Sequence, residues 1–200
     1  MNILVLGGTK MIGRKLIEEF LKKTNYKITL ANRNLTSPAL FNNLNKIIID
    51  RDNKESCQIF KCTSYDIVID ISCYNIDQFI NTYNFLNFNK YIFISTSAVE
   101  AIPFRNVSPD MYEMVRYAYC KKECEDFIIN NIKNYNIIRP CYVVGDYDYT
   151  NRFYKEDNKY YWKNGTELSY FIENESLVKF IIENIKNSNN LILNPCKSIL

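Results

Sequence analysis

The stretch NILVLGGTKMIGRKLIEEFLKK, residues 2–23, decides the fold. Its first part, Asn2–Leu6, is a short apolar run of the kind that forms a buried strand. It runs directly into Gly7-Gly8-Thr9-Lys10-Met11-Ile12-Gly13, and beyond it Ile12, Leu16, Ile17, Phe20 and Leu21 recur at helical spacing. Strand, glycine-rich turn and helix in that order form the context of a dinucleotide-binding fingerprint. Gly7 permits a tight turn off the strand, and Gly13 lets the helix pack close to it. The first N–H groups of the helix, at the positive end of its dipole, then face a pyrophosphate. The chain holds only five Gly, and three stand in this turn. Lys10 occupies a position where such turns commonly carry Gly, and an ammonium there lies beside the phosphates or reaches a 2′-phosphate. The plainer alternative is a turn with no ligand.

Outward from the turn the same alternation continues. Lys27–Ala31, Asn45–Ile49, Asp66–Ile71, Lys90–Ser95 and Asn136–Arg139 read as strands, with helices over Asn53–Cys62, Ile76–Asn87 and Met111–Asn131. Alternating strands and helices imply right-handed βαβ units and a parallel sheet covered on both faces. The expected class is therefore α/β, a Rossmann-like doubly wound parallel sheet. After Pro140 the pattern changes. Residues 147–170 are rich in Tyr, Asp, Asn and Lys, and Lys159–Leu168 has the form of a hairpin turning at Asn164–Gly165. Glu173–Asn187 reads as an amphipathic helix and Leu191–Leu193 as a last edge strand. The expected division is an NAD(P)-binding domain over 1–140 and a small C-terminal substrate-binding appendage over 141–200, packed on it.

Composition narrows the function classes. A chain of 200 residues, 47% hydrophobic and 24% charged, describes a globular domain. Its net charge of +3 and scattered Lys residues offer no basic stripe for nucleic acid. No apolar run reaches the roughly 18 residues of a membrane span, and Ile3–Leu6 is too short for a secretory signal. Seven Cys without a CxxC spacing, and the absence of His, argue against zinc and for a reduced, cytoplasmic location. Without His, no scheme with imidazole as the base is available.

Two further positions address the cofactor. An acidic residue at the end of the second strand would hold a ribose 2′-hydroxyl. Asn32 and Arg33 stand there instead, and an Arg suits a 2′-phosphate, so NADP is favoured over NAD. Arg33 as a solvated surface residue is the alternative. Asp50, after the third strand, is placed to accept a hydrogen bond from the adenine amino group, unless Asp50 and Arg51 form only a loop pair.

The candidate catalytic group is Tyr117-Ala-Tyr-Cys-Lys121. With 16 Tyr in the chain such a spacing arises by chance, so its context carries it. The pair sits on a helix that follows a strand ending in Ser95-Thr96-Ser97. Positions i and i+4 share a helix face, which sets Lys121 beside Tyr117. A free Tyr, with a pKa of about 10, is a poor base at neutral pH. A nearby ammonium and a positive nicotinamide ring favour its phenolate. Thr96 would bond the substrate oxygen and position it for proton transfer, with Ser95 and Ser97 as competing hydroxyls. Alternatively Tyr117 is a core aromatic and Lys121 a solvated surface residue.

These residues resemble the extended and atypical short-chain dehydrogenase/reductase superfamily, near the nucleotide-sugar epimerases and dehydratases, over roughly residues 1–185. The turn at residues 7–14 looks like a branch that reads Gly-Gly-Thr-(Arg/Lys)-Phe-Ile-Gly-Arg. Asp50-Arg51-Asp52, Arg139-Pro140 with Gly145, and Asn151-Arg152-Phe153 are similar to the same branch. The resemblance implies an NAD(P) cofactor, a nucleotide-sugar-like small-molecule substrate, and Thr96, Tyr117 and Lys121 as the triad. It places Ser72 and Cys73 near the nicotinamide and implies a homodimer built on the helices after the fourth and fifth strands. The sequence departs from the family at Glu100, where relatives often carry Tyr, and at Ile71-Ser72-Cys73, where they carry small Ala residues. Relatives are also longer, so the substrate-binding part is reduced. Thr96 is followed by Ser97-Ala98, not by the acidic pair of a dehydratase, which lowers that option against an epimerase or a reductase. Two other classes are a non-catalytic NADP-binding regulatory module and an RNA-binding protein of the stem-loop-binding type, which resembles the same branch. The low charge speaks against the second.

Overall fold

The computed structural model describes residues 1–23, 25–102, 112–187 and 189–198. Strand β1 (Asn2–Leu6) leads into helix α1 (Met11–Lys23), followed by β2 (Lys27–Asn32), β3 (Asn45–Ile48), β4 (Ser64–Asp70) and α2 (Ile76–Tyr83). Next come β5 (Asn87–Ile94), α3 (Tyr112–Asn131), β6 (Tyr135–Ile138) and β7 (Tyr142–Val144). The last part contains β8 (Phe153–Glu156), β9 (Lys159–Trp162), β10 (Tyr170–Glu173), α4 (Asn174–Asn184), β11 (Leu191–Leu193) and β12 (Lys197–Ser198).

Seven strands form one sheet in the order β11-β6-β5-β4-β1-β2-β3, and every pairing in it is parallel. This is the expected Rossmann-like doubly wound sheet. Side chains alternate between its faces. Ile3 and Val5 of β1 join α1 and α4 through Leu16, Ile17, Phe20, Leu177, Val178 and Ile181. Leu4 and Leu6 join the opposite layer, where Phe79 of α2 and Cys124 and Ile128 of α3 are buried. Both faces are covered, which explains the continuous apolar strands.

Some boundaries differ from expectation. Helix α2 ends at Tyr83, earlier than its apolar pattern predicts, and β5 begins at Asn87. Asn87 and Phe88 pair with Ser64 and Tyr65, so the sheet claims this segment's backbone. The segment after β3 is a 3-10 helix over Ser56–Cys62. The Asn164–Gly165 turn is present: Leu168 donates to the Tyr160 carbonyl at 2.8 Å. A second hairpin, β8–β9, precedes it and turns at Asp157–Asn158, both with positive φ (46° and 63°). Two left-handed residues match the twist of a two-residue hairpin loop, a geometry open to Asp and Asn without glycine.

The described residues after 140 divide between two layers. β7, β10 and β12 form a small sheet, and Tyr142, Phe153 and Trp162 pack edge-on beside it. In contrast, α4 packs on α1, and β11 pairs with β6 at the edge of the main sheet. Among the described residues, no helix is long and apolar enough to cross a membrane, and no group of His, Cys, Asp and Glu is arranged to hold a metal ion.

Candidate functional site

The strand order reverses between β1 and β4, and a crevice opens there beyond the carboxyl ends of the strands. A cleft of about 330 Å³ occupies it. Its floor is the turn from Gly7 to Ile12, backed by Ile71 and Ser72 after β4. One end is walled by Asn32–Thr36 after β2 and by Ile49–Asp52 after β3. Tyr74, Gln78 and Tyr149 complete the lining.

The glycine turn is built for close approach. A Cβ on Gly13 would collide with the Gly7 carbonyl oxygen and stand 2.8 Å from the Gly8 Cα, so α1 can meet β1 only through a bare Cα. Gly7 has φ +89°, and its Cβ would lie 2.6 Å from the Ser72 Cβ. Gly13 thus shapes the turn from behind, whereas Gly7, Gly8, Thr9, Lys10, Met11 and Ile12 face the cleft. The helix closes with Arg14 N–H donating to the Lys10 carbonyl at 3.1 Å. The N–H groups before Arg14 belong to the first turn, where an α-helix leaves donors for a ligand.

Arg33 is exposed on the rim, with no hydrogen bond or ion pair among the described residues. Asp50 also lines the cleft and is exposed; its Oδ1 accepts the Asp52 N–H at 3.1 Å. Arg51 also borders the cleft, but its side chain is engaged elsewhere. Its guanidinium is buried and donates to both Asp70 oxygens at 2.6 and 2.8 Å and to Thr82 Oγ1 at 2.9 Å. Tyr91 donates its hydroxyl to the same carboxylate at 2.6 Å. Burial opposes ionisation of Asp70, but Arg51 and Tyr91 outweigh it and hold the carboxyl below the usual carboxylate range. Cys73, expected beside the nicotinamide, lies beneath the cleft wall with its sulfur 4.0 Å from that of Cys124. Ser72 does line the cleft.

None of the three expected catalytic side chains lines the cleft; Thr96 lies just after β5, and Tyr117 and Lys121 lie on α3. Thr96 follows β5 and caps a 3-10 turn, Ser97–Ala101, its Oγ1 accepting the Ala98 N–H at 3.3 Å. Ser95 is committed elsewhere, because its buried hydroxyl donates to Glu125. Tyr117 is half-buried, and its ring lies 6.0 Å from that of Tyr74. Lys121 is 2% exposed; its ammonium donates to the Ile94 carbonyl at 2.8 Å and stands 5.7 Å from the Tyr117 ring centre. It is not a solvated surface lysine. Glu125 also binds Arg139 in a fork at 3.0 and 2.6 Å. Arg139, after β6, thereby fixes the α3 face that bears the pair. Arg139 also reaches Glu100 at 3.4 Å, and Glu100 accepts from Asn194.

Sequence reasoning missed Asp70, Gln78, Tyr74 and Tyr149. Asp70 ends a strand whose apolar pattern hid its partner. The Gln78 amide bridges the cleft rim, donating to Asp52 and accepting from the Tyr74 N–H. Tyr149 stands in the aperiodic tail, where no spacing marks it.

No protein-family model matches the chain, and neither does any curated protein. Solved structures do resemble it. One is the UDP-glucose 4-epimerase of Thermotoga maritima with UDP-glucose, at 18% identity and a TM-score of 0.72, covering 98% of this chain and 77% of that one. ChuY, an anaerobillin reductase of Escherichia coli O157:H7, has 14% identity and a TM-score of 0.70, covering 97% and 96%. A wide-type short-chain dehydrogenase/reductase of Veillonella parvula in complex with NADP has 16% identity and a TM-score of 0.66, covering 96% and 93%. The fold is thus the Rossmann-like α/β fold shared by short-chain dehydrogenases/reductases and nucleotide-sugar epimerases. At these identities the likeness concerns the fold; the chemistry rests on the site.

Proposed function

We propose that this chain is an NAD(P)-dependent oxidoreductase or epimerase of the short-chain type, with NADP preferred. The observation that carries the reading is the continuity of the site. One cleft is lined by Arg33, the glycine turn and Tyr74, and the Tyr74 ring contacts Tyr117, four residues before the buried Lys121. Burying a lysine ammonium is costly unless it is hydrogen-bonded, and the Ile94 carbonyl supplies one such bond.

The cradle fits a dinucleotide: Gly7 and Gly8 line it without side chains, Gly13 lets α1 close up behind them, and Lys10 and Arg33 supply positive charge. Gly7 to Ile12 would hold the pyrophosphate, Arg33 the 2′-phosphate and Asp50 the adenine amino group. When bound, the nicotinamide gives or accepts a hydride. Tyr117 passes the proton through its hydroxyl oxygen, and Thr96 orients the substrate oxygen. Lys121 has three donors; Ile94 takes one, which leaves others for the nicotinamide ribose. The substrate class we favour is a nucleotide-sugar or related carbonyl compound, acted on in the reduced cytoplasm by a homodimer built on α2 and α3.

The test is turnover of NADPH with a panel of nucleotide sugars and carbonyl compounds. Tyr117→Phe is expected to cut the rate by about 10²–10⁴-fold while leaving the NADPH Kd within about twofold. Full activity in that variant would remove Tyr117 from the chemistry.

A further inference from the structure

After β7 the chain crosses the amino end of α1. Three contacts tie this crossing to the exposed face of the helix. The Arg14 guanidinium stacks on the Tyr147 ring at 3.8 Å, the Tyr147 hydroxyl donates to Glu18 at 3.0 Å, and Lys15 pairs with Asp146 at 3.3 Å. Gly145 and Tyr147 both take positive φ (112° and 64°), and the Asn174 side chain donates to the Asp146 carbonyl. So anchored, the crossing sets Tyr149 into the wall of the cleft. The Lys10 ammonium rests over that ring, 4.2 Å from its centre, and has no hydrogen bond or ion pair among the described residues. Tyr149 also lies near Tyr74, whose ring contacts Tyr117. Burial and Tyr74 raise the pKa of Tyr149, so its hydroxyl stays protonated at neutral pH.

We propose that Tyr149 is a dinucleotide-binding residue supplied by the C-terminal segment, whose ring holds the Lys10 ammonium at the cleft for the pyrophosphate. This rests on the dinucleotide reading above. A free lysine side chain must be immobilised to meet a phosphate, and an aromatic face that already orients it lowers that entropic cost. The ring lines the cleft near both Lys10 and Tyr74, so one residue would link the cofactor site to the catalytic side.

The test is a double-mutant cycle on NADPH affinity, read by NADPH fluorescence, with Lys10→Met, Tyr149→Leu and the double variant. Tyr149 is more than half exposed, so its replacement spares the core. Tyr149→Ser serves as a second truncation, and thermal melts verify folding. Loss of the ring is expected to weaken NADPH about fivefold, and Tyr149→Phe to bind within about twofold of wild type. In the Tyr149→Leu background, Lys10→Met should add little further loss. Independent, multiplying effects, or unchanged affinity in both truncations, would overturn the proposal while leaving the dinucleotide site standing. No NADPH binding by the wild-type protein would overturn both.

Discussion

Arg51 and Arg33 lie 18 positions apart, yet their surroundings assign them opposite work. Arg51 is sealed against Asp70, and Arg33 is open to the cleft. Breaking a buried pair from one side typically costs about 3–5 kcal/mol, because it strands the other charge. Asp70→Asn is therefore expected to lower Tm clearly at neutral pH. The folded pKa of Asp70 is depressed, so its stabilisation is complete above the unfolded value of about 4 and is lost as pH falls through the lower folded value. The gap in Tm between wild type and Asp70→Asn should shrink as the pH drops below about 4; a constant gap would contradict the coupling. Arg33→Ala is expected to weaken NADPH about tenfold and NADH little, since a hydrogen bond to a charged group contributes about 1.5–3 kcal/mol. Equal losses for both cofactors would remove Arg33 from the 2′-phosphate. At this scale the sequence was readable where backbone demands a residue type, as at Gly7 and Gly13. It was not readable where a partner from a distant strand decides, since Asp50-Arg51-Asp52 gives no sign that only the middle side chain turns inward.

Helix α3 shows why its element was easier to place than to interpret. Its buried stripe is Ala118, Lys121, Cys124, Glu125 and Ile128, so two charges occupy positions that apolar periodicity reserves for the core. Lys121 is satisfied by Ile94 and Glu125 by Ser95 and Arg139. A helix whose inner face carries paired charges against strand ends is positioned by polar bonds as well as by packing. The contact of α1 with β1 is the opposite case, set by bare backbone. Gly13→Ala is expected to destabilise the protein by about 1–3 kcal/mol, because backbone, and not a yielding side chain, meets the added methyl. Denaturant midpoints would measure this, and an unchanged midpoint would mean that the helix moves freely. The long parallel strands were legible because both their faces are apolar. The short β7, β8 and β10 were not, because three or four residues in a Tyr-rich tail carry no periodic signal.

Over the whole molecule, the tail is woven into the nucleotide-binding layer. Leu177, Val178 and Ile181 of α4 complete the core beneath α1, and β11 extends the main sheet. A chain ended before Asn174 would expose that face of α1 and is expected to lose cooperative unfolding; a sharp transition in such a truncation would show that residues 1–173 fold alone. Between the two, the Tyr147–Tyr149 crossing brings tail and glycine turn together at the cleft. The most direct measurement on this molecule is a fluorescence titration of the purified protein with NADPH and with NADH, repeated for Arg33→Ala. Saturable binding of both, tighter for NADPH, with the preference lost in Arg33→Ala, is the expected result. Absence of binding by either cofactor would mean that the glycine turn serves only the packing of α1 on β1.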